Sequence, residues 1–114
     1  MLHKIPIFGG LFRRSDFDES EAAKANRLAL IEGMTFEVIP LKSLTEAEAA
    51  LPVGARVSVT ASPAKGLEVT QEITERMLGS GLQAIPHISA RMVRDRAHTK
   101  ELADWFRDTG VATM

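Results

Sequence analysis

The sequence predicts an α/β protein built from parallel strand–helix units. Three short apolar segments, each β-branched or proline-terminated, are each followed by a stretch with helical spacing. Strands that alternate with helices imply parallel pairing through crossover connections. Neither GxGxxG nor GxxxxGK[ST] follows any of the strands, which removes the fingerprints of a nucleotide-binding open sheet. The remaining architecture is the (β/α)8 TIM barrel, which typically needs about 250 residues. With 114 residues the chain accounts for three to four units, so the expected fold is the N-terminal part of a barrel.

The elements follow in order. Residues 1–19 mix apolar residues with breakers such as Pro6 and Gly9-Gly10, show no sustained period, and read as an N-terminal arm. Residues 20–114 carry the barrel units. Asp18, with Glu21 three positions on, forms a capping box for a helix in which Ala22, Ala25, Leu28 and Ile31 recur, and Gly33 stops it. Thr35–Pro40 is the first strand. Thr45 and Glu48 form a second capping box for a short helix reaching Leu51. Pro52-Val-Gly54 turns the chain into a second strand, Arg56–Thr60. Leu67, Thr70, Ile73 and Met77 share one face of the next helix, closed by Gly79-Ser-Gly81. Leu82–Ile88 is a third strand, weakened near its end by Pro86. His98, Leu102, Trp105, Phe106 and Thr109 lie on one side of the last helix, which Gly110 ends, and Val111–Met114 opens a fourth strand.

Composition narrows the functions. The formal net charge is −1, which argues against a nucleic-acid or anionic-membrane partner recruited by bulk electrostatics. No apolar run approaches the roughly 20 residues a membrane helix needs, and the N-terminus lacks the long core and small-residue cleavage site of a signal peptide. Cysteine is absent, which excludes disulfides and thiolate metal sites, and His3, His87 and His98 share no metal-ligand spacing. A cytoplasmic location and no metal are the expectation. An open parallel sheet leaves unpaired backbone groups at its edge, so the chain is expected to self-associate as a homo-oligomer or to require the rest of the barrel.

Glu37, Thr60 and His87 fall at or near the C-terminal ends of three successive strands, the face on which barrel enzymes place their active sites. A carboxylate between Phe36 and Val38 in a buried strand costs several kcal/mol to desolvate unless it is paired or protonated. The protonated form suits a general acid. The alternative is a strand glutamate paired with Lys42 or Arg56. Thr60 offers a hydroxyl to a flat cofactor, or is simply a β-branched strand residue. His87 follows Pro86, which fixes the local backbone; its ring serves either a ligand or the structure. Arg91, Arg94 and Arg96 with Lys65 can cradle a phosphate or carboxylate, or form a solvated loop diluted by Asp95. Trp105 and Phe106 read as packing residues.

Thr35-Phe-Glu-Val-Ile-Pro40, Val57-Ser-Val-Thr60 and Ile85-Pro-His-Ile-Ser89, in this order and approximate spacing, resemble the opening of the methylenetetrahydrofolate reductases. The motifs of that family are of the types S-F-E-F-F-P-P, S-V-T-Y-G-A and P-H-L-T. The resemblance covers residues 34–114. It implies a flavin-carrying barrel of one-carbon metabolism in which a reduced nicotinamide, NAD(P)H, gives hydride to FAD and the flavin gives hydride to a folate-type substrate. On this resemblance Glu37 matches the general acid that opens the five-membered ring of the folate, and Thr60 and His87 match positions that contact FAD. The chain departs from the family at Val38 and Leu41, and reads Ala61-Ser-Pro-Ala-Lys65 where the family has tyrosine-glycine-alanine. As a truncated part of such a barrel the chain is expected to be inactive alone, and a non-catalytic half-barrel that assembles with itself or a partner subunit is the alternative function.

Overall fold

The computed structural model describes residues 20–114. The arm assigned to residues 1–19 lies outside the described residues, as does Asp18. The chain divides into two compact units, one ending at Gly33 and one running from Met34 to Met114.

In the first unit, α1 spans Glu21–Glu32. Its cap is Ser20, whose hydroxyl accepts from the Ala23 amide at 3.2 Å, and not the expected Asp18. Ser20 stands directly before the first helical residue, where a side-chain oxygen reaches the first free amides. Gly33 ends the helix as expected, its amide donating to the Ala29 carbonyl.

The second unit is a three-stranded parallel sheet with helices between its strands. β1 is Thr35–Val38, β2 Arg56–Val59 and β3 Gln83–Pro86, in the order β1-β2-β3. α2 spans Leu44–Ala50, α3 Leu67–Gly79 and α4 Arg96–Thr109, with a 3-10 turn at Ala90–Met92. The strands stop earlier than the sequence suggests, at Val38, Val59 and Pro86. Val111–Met114 forms no strand; Ala112 and Thr113 instead line a cleft of about 180 Å³ with Gln83, Ala84 and Ile85 of β3.

Register determines the two faces. Phe36 pairs with Val57 and Val57 with Ala84; Val38 pairs with Val59 and Val59 with Pro86. Because side chains alternate along a strand, these six residues share one face. There Val38, Val57, Val59 and Ala84 form the core with Leu44 of α2, Ile73 and Met77 of α3, and Leu82. Burying each large aliphatic side chain contributes about 1.5–3 kcal/mol. The helical stripe Leu67, Thr70, Ile73 and Met77 is buried throughout, together with Thr74, whose hydroxyl donates to the Thr70 carbonyl at 2.6 Å.

Pro86 costs β3 little. Gln83 and His87 donate their amides to the Ala55 and Val59 carbonyls, so the alternate positions Ala84 and Pro86 face the other edge, where the missing proline N–H breaks no bond to β2.

The second expected capping box is not a cap. Ser43 precedes α2 without a side-chain hydrogen bond. Thr45 and Glu48 reach across to α3: Arg76 donates to the Thr45 hydroxyl at 3.0 Å, and Glu48 takes a hydrogen bond from Ser80 and an ion pair from Arg76. Contacts between helices win these side chains from the helix end. α4 is tied to α3 by the Trp105 indole N–H, which donates to Glu75 at 2.6 Å, while His98 and Leu102 are buried beneath it.

Candidate functional site

The face opposite the core carries the candidate residues. Glu37 pairs in register with Ser58, and Ser58 with Ile85. Thr60 and His87 each follow by one residue the register pair Val59–Pro86, and both continue the sheet's hydrogen bonding. The Thr60 amide donates to Val38 at 3.0 Å and the His87 amide to Val59 at 2.9 Å. Alternation therefore puts Glu37, Ser58, Ile85, Thr60 and His87 on one face, at the C-terminal ends of the strands. The three expected residues do share a face and a rim.

Their surroundings differ from expectation. Glu37 is exposed, so the desolvation argument for a buried carboxylate does not apply to it. Among the described residues no ion pair joins it to Lys42 or Arg56. It lines a cleft of about 200 Å³ with Ile39, Leu41, Leu44 and Ala47, and that cleft includes neither Thr60 nor His87. His87 is exposed. Thr60 is half-buried, and its Oγ1 is buried with no hydrogen-bond partner. An unpaired buried hydroxyl costs free energy that a ligand acceptor or donor recovers.

Ser58 is a residue that sequence reasoning passed over. It is buried between Glu37 and Ile85, and its Oγ donates to the Phe36 carbonyl at a long 3.4 Å. The signal was available: period-two alternation sets Ser58 on the same face as Thr60.

The basic loop is partly committed. Arg94 Nη1 pairs with Glu68 Oε1 at 2.8 Å. That hydrogen bond, followed by one from Glu68's own backbone N–H, holds the Glu68 carboxyl below the usual carboxylate range. Asp95 caps α4 by accepting from the His98 amide at 2.7 Å, and the Arg94 amide donates to His98 Nδ1 at 3.1 Å, so the imidazole proton of the neutral ring sits on Nε2. Trp105 and Phe106 pack edge to face with ring centroids 4.9 Å apart.

Among the described residues no group of three or more His, Asp or Glu side chains could hold a metal ion. No described helix is long and apolar enough to cross a membrane. The chain matches no protein-family model, no curated protein and no solved structure.

Proposed function

We propose that residues 34–114 are the first units of a (β/α)8 barrel of the methylenetetrahydrofolate reductase kind, a flavin-dependent oxidoreductase acting on a folate-type substrate with NAD(P)H as hydride donor. The observation that carries this proposal is the common face and rim of Glu37, Thr60 and His87 on three consecutive parallel strands. Helices cover the other face, as they cover the outside of a barrel. The unpartnered Thr60 Oγ1 and the exposed His87 ring fit a polar planar group such as FAD, and these two residues would hold it. When bound, the flavin supplies the hydride step between the nicotinamide and the folate. Glu37, exposed on the same face, would give a proton to the folate ring nitrogen as the five-membered ring opens.

The test is made on the protein carrying its whole barrel: it is incubated with FAD, a bound-flavin spectrum is recorded, and menadione-dependent and folate-dependent oxidation of reduced nicotinamide is followed. Glu37→Gln is expected to keep the flavin and lose folate turnover by about a hundredfold to ten-thousandfold. Absence of a flavin spectrum, or undiminished turnover in the variant, overturns the proposal.

One observation favours a second function, a non-catalytic half-barrel that assembles with another copy. Ile39 is 50% and Leu41 59% exposed beside β1, whose outer edge pairs with no strand among the described residues. A stable oligomer by sedimentation, without flavin binding, would select it.

A further inference from the structure

The N-terminus of α4 is closed by a reciprocal cap in which one member is an imidazole. Asp95 Oδ1 accepts from the His98 amide at 2.7 Å, and His98 Nδ1 accepts from the Arg94 amide at 3.1 Å. In a capping box the returning bond comes from a glutamate or glutamine at the third helical position and ends on the amide of the cap residue. Here the third position is His98, only 5% exposed, and its ring reaches one residue further back. A glutamate remains an acceptor around neutral pH, whereas an imidazole accepts only while it is neutral.

That bond fixes more than a helix end. Arg94 closes the segment that leaves β3 at His87 and passes through the turn at Ala90–Met92, where the Met92 amide donates to the Ser89 carbonyl at 2.9 Å. Arg94 also pairs with Glu68 of α3, but the two side chains are 60% and 61% exposed, and an ion pair that open contributes little. The part-buried bond to His98 is the firmer hold. A second proton on the ring goes to Nδ1. It takes the lone pair that Arg94 uses and sets a positive ring at the positive end of the α4 dipole, in the same turn as Arg96. The charged groups around the ring are Glu68 from α3, whose carboxyl feels it, Arg94 and Asp95 ahead of the helix, and Glu101 one turn on. A charged ring attracts Glu68 in competition with Arg94, so the second tie loosens as the first is lost.

We infer that the neutral His98 ring is a pH-sensitive latch on the segment between β3 and α4, and that a proton on Nδ1 releases this segment from the rim while the sheet stays folded. The core of Val38, Val57, Val59 and Met77 draws on no residue of α4 among the described residues, so it keeps its packing when the latch opens. His98 is thus a positioning residue, which acts on the strand ends through Arg94. The latch rests on the function proposed above only in taking the strand ends as the binding rim.

The experiment is a 1H–15N and 1H–13C titration of the whole protein from about pH 8 to about pH 5, the range in which imidazoles change charge. The His98 ring and the Arg94 and His98 amides should shift along one curve with one midpoint, and the amides of Val57 and Val59 should stay in place. His98→Asn, which keeps a side-chain acceptor that does not titrate, should hold the Arg94 amide at its high-pH position throughout. His98→Leu should leave it at the low-pH position throughout, and at about pH 8 that amide should exchange about fivefold or more faster than in the parent, the loss of one hydrogen bond. His87→Gln, which removes the neighbouring titration, should leave the Arg94 curve unchanged. An Arg94 amide that does not move with the His98 ring, that titrates equally in His98→Asn, or whose curve disappears in His87→Gln overturns the inference. Should His98→Leu fail to fold, the midpoints of ring and amide in the parent still decide between these results. A common midpoint without flavin binding supports the latch and removes only the flavin proposal; flavin binding with a static Arg94 amide removes only the latch.

Discussion

Thr60 and His87 stand one residue beyond the same register pair, Val59 and Pro86, and so extend neighbouring strands on the face opposite the core. Their environments are unequal. The imidazole is exposed, whereas the Thr60 Oγ1 is out of reach of solvent and of any partner. A hydroxyl in that position is a local cost to the free protein. Thr60→Val, which keeps the shape and removes the polar atom, should therefore stabilise the ligand-free protein by up to about 1 kcal/mol in urea unfolding. On the flavin-binding function proposed above, the same variant should bind FAD more weakly than the parent. A loss of stability would mean that the hydroxyl has a partner in solution.

Two glycines separate backbone effects from packing. A Cβ at either Gly79 or Gly110 would meet nothing within 4 Å, but Gly110 has φ +79° while Gly79 is the last residue of α3. Gly110→Ala should destabilise by about 1 kcal/mol through strain in the left-handed region. Gly79→Ala should stabilise by about 0.5 kcal/mol, because alanine loses less chain entropy on folding. Thermal melts of the two variants should move in opposite directions.

Much of this architecture is written in local pattern. The stripe Leu67, Thr70, Ile73 and Met77 identified α3 and its buried face, and Gly33 and Gly110 marked two helix ends. The common face of Glu37, Thr60 and His87 followed from strand spacing. What the pattern concealed depended on long-range partners. Thr45 and Glu48 satisfy the spacing of a capping box, yet Arg76 and Ser80, about thirty residues away, take both side chains. Glu37 lies between two apolar neighbours, but those neighbours face the helices while it faces outward, so flanking residues said nothing of its own exposure. The unpaired Thr60 hydroxyl was invisible, since a hydrogen-bond deficit is a property of the packed site.

Met77 tests the core that positions this rim. It is fully buried against the sheet with Val57 and Val59, and α3 packs on both β2 and β3. Met77→Ala removes most of the side chain and leaves a cavity under both strands. The expected cost is about 2–5 kcal/mol, measured by denaturant midpoint at unchanged slope. Met77→Leu, close in volume, should cost less than about 1.5 kcal/mol. Similar large losses in both would show that shape, not volume, governs the site.

Acid should loosen the seam between α2 and α3. The Ser80 hydroxyl, and after it Arg76, hold the Glu48 carboxyl below its ordinary value. A group whose folded pKa is depressed stabilises the protein above its unfolded pKa, and that stabilisation is lost as pH falls through the folded value. The unfolded glutamate titrates near 4.3, so the contribution of Glu48 is present at neutral pH and disappears below about pH 4. Glu68 is depressed as well, by Arg94, and acts in the same window. Removing one pair separates them. In Ser80→Ala the melting temperature should fall at pH 7 relative to the parent, and the two proteins should converge toward pH 3. Arg76→Ala should converge likewise, while Arg94→Ala should leave the difference between Ser80→Ala and its parent intact. A Ser80→Ala deficit that persists undiminished at pH 3 would show that the hydroxyl acts through its second bond, to the Arg76 carbonyl at 3.2 Å, and not through Glu48.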